Sequence, residues 1–188
     1  MTTIGLLALQ GDYQKHGERF EFLGVSTKKV RSPDDLKYID GLVMPGGEST
    51  TMGKLIEREQ LAEPLIERIR SGMPVFATCA GLILLAKQVA GYDQVHLGAL
   101  DVDVARNAYG RQIESFEVDI ESPFFGSPPI RGVFIRAPLI KRYGDDIEVL
   151  AEYENVPVLV RQQKILAASF HPELTDDLRI QEYFLTSL

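Results

Sequence analysis

The chain contains a single cysteine, Cys79, and the residues around it place it where a nucleophile would stand. The run Met-Pro-Val-Phe-Ala-Thr (73–78) reads as a short buried strand and 82–90 as a helix, so Cys79-Ala80-Gly81 forms the turn between them. A thiol at such a bend projects outward at the positive end of the helix dipole, an electrostatic setting that favours a thiolate. Much later, Phe170-His171-Pro172-Glu173 supplies an imidazole and a carboxylate two positions apart. Thiol, base and orienting acid are the components of covalent acyl transfer. A lone cysteine is ordinarily a small buried hydrophobe, and His-Pro is a common turn dipeptide. The weight therefore rests on the two segments occurring together, each at the end of a predicted strand.

The elements that would position them alternate along the first half. Ile4–Leu9, Val25–Val30, Asp40–Met44 and Met73–Thr78 are short apolar runs of the kind buried on both faces of a parallel sheet. Between them the pattern predicts a helix from Tyr13 to Leu23 ended by Gly24, and a capped turn at Ser32-Pro33-Asp34-Asp35. A long helix is predicted over Thr51–Arg70, with Pro64 as the point where it would kink or divide. The second half reads as strands with short connections: Val95–Val104, Gln112–Ile120, Ile130–Ile135, Ile147–Tyr153, Val156–Gln162 and Ile165–Phe170. Asn155 and Gln163-Lys164 mark hairpin turns, so some pairs should be antiparallel. A last helix is expected after Thr175 as its cap. His16 reads as a solvated residue of a polar helix, and His96 as half-buried at a strand start.

In an open parallel sheet, sites form beyond the carboxyl ends of the strands. The segments Gly46-Gly47-Glu48-Ser49-Thr50, Cys79-Ala80-Gly81 and His171-Pro172-Glu173 all fall there. Thiolate attack on a carbonyl creates an oxyanion that needs preorganised donors. The N–H of Ala80 is one, and Gly47 is the best candidate for the second. A phosphate loop at Gly46–Lys54 is excluded: its first glycine would fall on Glu48, and Leu55 follows Lys54 where Ser or Thr is required.

The 188 residues fit one domain, 1–188, and 45% hydrophobic content gives it a substantial core. A net charge of −7 with dispersed basic residues argues against nucleic acid or an anionic membrane as partner. One cysteine and three histidines exclude a disulfide framework and a structural zinc site. With neither a signal peptide nor a membrane-length apolar stretch, the expected location is the cytoplasm.

Six ordered segments carry a resemblance that runs nearly end to end: Leu7–Asp12, Pro45–Thr51, Cys79–Leu82, Arg106–Gln112, Phe134–Pro138 and Phe170–Leu174. Together they resemble the glutaminase subunits of pyridoxal 5′-phosphate synthases, which are class I, triad-type glutamine amidotransferases. The resemblance implies a three-layer, flavodoxin-like α/β domain with a mostly parallel central sheet and an added antiparallel portion. Cys79, His171 and Glu173 match the family's triad, and Gly47 and Ala80 its oxyanion donors. Gly47, Glu48, Ser49, Arg106, Ile135 and Arg136 match its glutamine-binding segments. Ala77 departs from the glycine that many class I enzymes carry two residues before the nucleophile.

The implied activity is hydrolysis of L-glutamine to L-glutamate and ammonia, with ammonia passed to a separate synthase subunit in a large ring-shaped complex. No cofactor or metal is implied, pyridoxal phosphate being a product of the complex. The resemblance further implies weak activity alone and an oxyanion hole completed on docking, with residues from Gln10 to Tyr13 among the contacts. Two alternatives stay open: a glutaminase serving another synthase, such as an imidazole-ring-forming enzyme, and a non-catalytic amidotransferase-like module that only regulates a partner.

Overall fold

The computed structural model describes residues 2–91, 93–106 and 115–188. Its first half runs β1 (Thr3–Leu7), α1 (Tyr13–Phe22), β2 (Ser26–Val30), β3 (Gly41–Met44), α2 (Ser49–Arg58), α3 (Ala62–Arg70), β4 (Val75–Thr78) and α4 (Ala80–Leu85). The second half is richer in strands: β5 (Ala86–Ala90), β6 (Leu100–Ala105), β7 (Ser115–Ile120), β8 (Ile130–Ile135), β9 (Leu139–Tyr143), β10 (Glu148–Tyr153), β11 (Val156–Gln162) and β12 (Ile165–Ala168), closed by α5 (Arg179–Leu185).

Seven strands form the central sheet in the order β10-β11-β12-β4-β3-β1-β2. The five from β12 to β2 are mutually parallel, while β11 pairs antiparallel with both β12 and β10. The parallel part has the doubly wound flavodoxin-like order, which reverses between β1 and β3 and leaves a crevice there. Period-two alternation divides its side chains between two cores. Leu42, Met44, Val75, Ala77, Ile165 and Ala167 face one, packed by Met52, Ile56, Leu61 and Leu65 from α2, α3 and the link between them. Val43, Phe76, Leu166 and Ala168 face the other, against Phe20 of α1 and Ile180 and Phe184 of α5. Both faces are covered, which is why these strands read as continuous apolar runs. Two small sheets, β5-β6-β9 and β7-β8, complete the second half.

Several elements differ from the sequence expectation. The long helix is divided, but at Gln60 and not at Pro64: Gln60 takes φ 55°. Gln60 N–H donates to Glu57 O and Leu61 N–H to Ile56 O, the paired bonds of a Schellman stop. Pro64 lies in the first turn of α3, where its missing N–H costs nothing. The helix expected over 82–90 ends at Leu85, because 86–90 leaves as an edge strand pairing with β6. The strand expected from Val95 begins only at Leu100, and β9, which pairs antiparallel with β6, was not anticipated. Thr175 does not cap the last helix: its hydroxyl donates to Pro172 O, closing a 3₁₀ turn, and α5 starts at Arg179. Of the strand expected over Gln112–Ile120, residues 112–114 lie outside the described residues.

Candidate active site

Cys79 occupies the bend between β4 and α4 with φ 48° and ψ −102°, a backbone region of the kind side-chain-bearing residues rarely enter. Its N–H donates to Ala168 O, and its carbonyl accepts from Ile83 N–H, so the bend is fixed from both sides. Gly81 lets α4 approach: a Cβ there would lie 2.1 Å from the Met44 carbonyl oxygen. Ala77 sits in register with Met44 and Ala167 and is fully buried, so the methyl at that departure is accommodated inside the core.

The carboxyl end of β12 delivers the other two groups. His171 Nδ1 lies 2.8 Å from Glu173 Oε1, and Glu173 is completely buried. His171 N–H donates to Val133 O, and the imidazole packs on Gly46, where a Cβ would come within 2.4 Å of Cε1. Burial alone would lower the His171 pKa, but hydrogen bonding to Cys79 and Glu173 outweighs it and pushes it up to about 10. Burial would likewise raise the Glu173 carboxyl; His16 and His171 instead hold it well below the usual carboxylate range. Cys79 Sγ is 3.7 Å from Ile135 O.

Cys79 and His171 open into a cavity of about 390 Å³, within the range of small-ligand sites. Gly47, Glu48, Ser49, Arg106, Ile135 and Arg136 line the same cavity. Ala80 is the first residue of α4, where N–H groups have no partner within the helix, and Glu173 stands behind His171. The sequence-predicted residues are thus brought together at the carboxyl ends of β3, β4, β6, β8 and β12.

Their internal pairing was not foreseen. Glu48 caps α2: its carboxylate accepts from the N–H groups of Thr50 and Thr51 and from both hydroxyls. Its partial burial would raise the pKa, but these threonine bonds bring it down to about 2. Arg106 Nη2 donates to Glu48 Oε1 at 3.1 Å, and Nη1 to Thr50 Oγ1 and Gln94 Oε1, each at 2.9 Å. Two charged residues of the expected glutamine-binding segments therefore hold one another. Gln94, which also accepts from Ser49 Oγ, carried no recognisable signal in the sequence. Gln10 Oε1 accepts from Glu48 N–H, and Gly46 O from Asp12 N–H, so the loop after β1 pins the loop after β3.

Two histidine expectations are corrected. His16 is fully buried, because it lies four residues before the core residue Phe20 and so on the same helix face; that spacing could have revealed it. His96 is exposed in the irregular stretch before β6, with Nδ1 3.1 Å from Ala86 O. Among the described residues, no group of three metal-binding side chains forms, and no helix is long and apolar enough to cross a membrane.

A doubly wound sheet that sets a thiol, an imidazole and a carboxylate at its strand ends is the architecture of the glutamine amidotransferase class. A crystal structure of a glutamine amidotransferase superposes with a TM-score of 0.94 at 49% identity, covering 98% of this chain and 97% of that one. A glutamine amidotransferase of Thermotoga maritima at 16% identity, TM-score 0.61, covering 99% of this chain and 81% of its own, shares the fold alone. More narrowly, the chain belongs to the SNO glutamine amidotransferase family, whose model matches residues 6–188. Among curated relatives, pyridoxal 5′-phosphate synthase subunits PdxT of Thermotoga neapolitana and Thermotoga maritima are 56% and 54% identical over 182 residues, 97% of each chain. That of Carboxydothermus hydrogenoformans is 52% identical over 97% of this chain and 95% of its own.

Proposed function

We propose that this chain hydrolyses L-glutamine through a thioester on Cys79 and supplies the ammonia to a pyridoxal 5′-phosphate synthase subunit. The observation that carries this reading is the buried His171–Glu173 pair at 2.8 Å, whose imidazole opens with Cys79 into one cavity, in a chain closely similar to PdxT subunits.

The Cys79 thiol proton passes to His171 Nε2, Sγ attacks the side-chain carbonyl carbon of glutamine, and the negative charge passes to the carbonyl oxygen. The N–H groups of Ala80 and Gly47 receive that oxyanion. His171 Nε2–H protonates the departing nitrogen, the C–N bond breaks, and ammonia leaves a γ-glutamyl thioester. Water then attacks the thioester while His171 takes its proton; the C–S bond breaks and glutamate is released. Glu173 holds the imidazole in the required tautomer and balances its charge. The Glu173 carboxylate beside Nδ1 favours the protonated imidazole until the amide leaves. Glu48, Ser49, Arg106, Ile135 and Arg136 form the receptor for the amino-acid end of the substrate. Charged α-amino and α-carboxylate groups would exchange with the Glu48–Arg106 pair on entry.

The partner is a ring-shaped synthase assembly in the cytoplasm, and residues 1–188 act as one domain docked on it. Docking through the Gln10–Tyr13 segment would adjust Gly47, because Gln10 and Asp12 already bond the Gly46–Glu48 loop. The test is Cys79→Ala assayed with the synthase subunit present. Ammonia release should disappear while partner binding persists; ammonia release at the wild-type rate would end the thioester scheme.

A further inference from the structure

Glu173 Oε1 is approached by a second imidazole besides that of His171. His16, on α1, is fully buried and sets its ring edge-on to Phe76, 5.8 Å between centroids. Its Nε2 lies 3.1 Å from Thr78 Oγ1 and 3.4 Å from Glu173 Oε1. An unprotonated Nε2 would point its lone pair at a carboxylate oxygen, so the geometry selects the Nε2–H tautomer, its one proton shared between Thr78 and Glu173. Glu173 Oε1 thus lies between two imidazole nitrogens, whereas Oε2 finds no hydrogen-bond partner among the described residues. With the second oxygen unbonded, the hydrogen bonds that oppose rotation of the carboxylate act at Oε1.

We propose that His16 is a positioning residue: its Nε2–H holds the Glu173 carboxylate from behind, so that Oε1 stays aligned on His171 Nδ1. The same proton ties that alignment to Thr78, the residue immediately before the nucleophile. His16 therefore bridges the strand end that carries Cys79 and the turn that carries the imidazole and carboxylate. This inference rests on the reading of Cys79, His171 and Glu173 as a working triad.

The test compares His16→Leu and His16→Gln in the full chain with the synthase subunit, with Cys79→Ala alongside. Leucine removes the donor and keeps an apolar contact to Phe76; glutamine restores an N–H at similar reach. Loss of one such bond predicts a fall in kcat of about tenfold for His16→Leu. KM should stay within about twofold, because the residue does not touch substrate. His16→Gln should recover most of the loss. Wild-type kcat in His16→Leu, or an equal fall in both variants, would overturn the proposal. Nitrogen-15 NMR of the unaltered chain gives an answer that needs no variant to fold: His16 should be the Nε2–H tautomer, and finding Nδ1–H would overturn the proposal. Ammonia release that survives Cys79→Ala would instead remove the underlying triad reading, so the two failures are separable.

Discussion

The two sides of the cavity are built differently. On one side, Glu173 has no side-chain exposure and His171 about 10%; the imidazole is set by a backbone bond to Val133 O and by close packing on Gly46, and the carboxylate by His171 and His16. On the other, the Glu48 side chain is 47% exposed, and its position depends on threonine hydroxyls, Arg106 and the loop after β1. The buried side is fixed before substrate arrives. The exposed side is held by charged groups satisfying one another, and those bonds must be exchanged for bonds to a ligand. On the proposed reading, rigidity is concentrated where protons would move and adaptability where the substrate would be recognised.

That contrast can be broken, most severely at its rigid side. Glu173→Ala should lower kcat by roughly 10²–10⁴-fold, since the imidazole loses its orienting partner, with little change in KM; steady-state ammonia release measures it. A comparable rise in KM would mean that the rigid side also recognises substrate. Arg106→Ala should act oppositely, raising KM by roughly ten- to a hundredfold through loss of charge-assisted bonds and leaving kcat nearly intact. Gln94→Leu should raise KM by a smaller factor, about tenfold or less, since it releases only one anchor of Arg106 and Ser49.

The smallest expected effect concerns pH and stability. The folded His171 pKa lies near 10 against an ordinary value of 6.5, so between these values the folded chain binds a proton that the unfolded chain does not. Its contribution to stability is complete below about 6.5 and declines as pH rises toward 10. Thermal melts across that window should show stability falling with pH, and Glu173→Gln should flatten the decline. Glu48 gives the reverse trend at the acid end: its pKa of about 2 against 4.5 means a contribution that is full above 4.5 and is lost as pH drops to 2.

Much of the buried side was legible in the sequence, because apolar runs broken by Gly46-Gly47, Cys79 and His171-Pro172-Glu173 carry a local signal. The parallel strands of the first half were found for the same reason. What stayed hidden depended on distant pairing. Residues 86–90 become a strand only because β6 lies beside them, and Gln60 ends α2 by adopting a left-handed backbone that its side chain does not announce. His16 was misread from its polar neighbours, although its spacing from Phe20 placed it inward. The mutual hold of Glu48, Arg106 and Gln94 joins segments far apart in sequence, and no local pattern encodes it.

The bend at Cys79 has a further consequence. With φ 48° and ψ −102°, it matches the first central position of a type II′ turn, which ordinarily takes glycine. The chain keeps the sulfur proposed as its nucleophile only by placing a side chain where the backbone would settle more readily without one. Two inactive proteins, Cys79→Ala and Cys79→Gly, isolate that tension: glycine should melt at the higher temperature, by about 1 kcal/mol in stability, against the usual ranking of the two residues. On the proposed reading, the molecule trades some durability for reactivity at a single peptide unit.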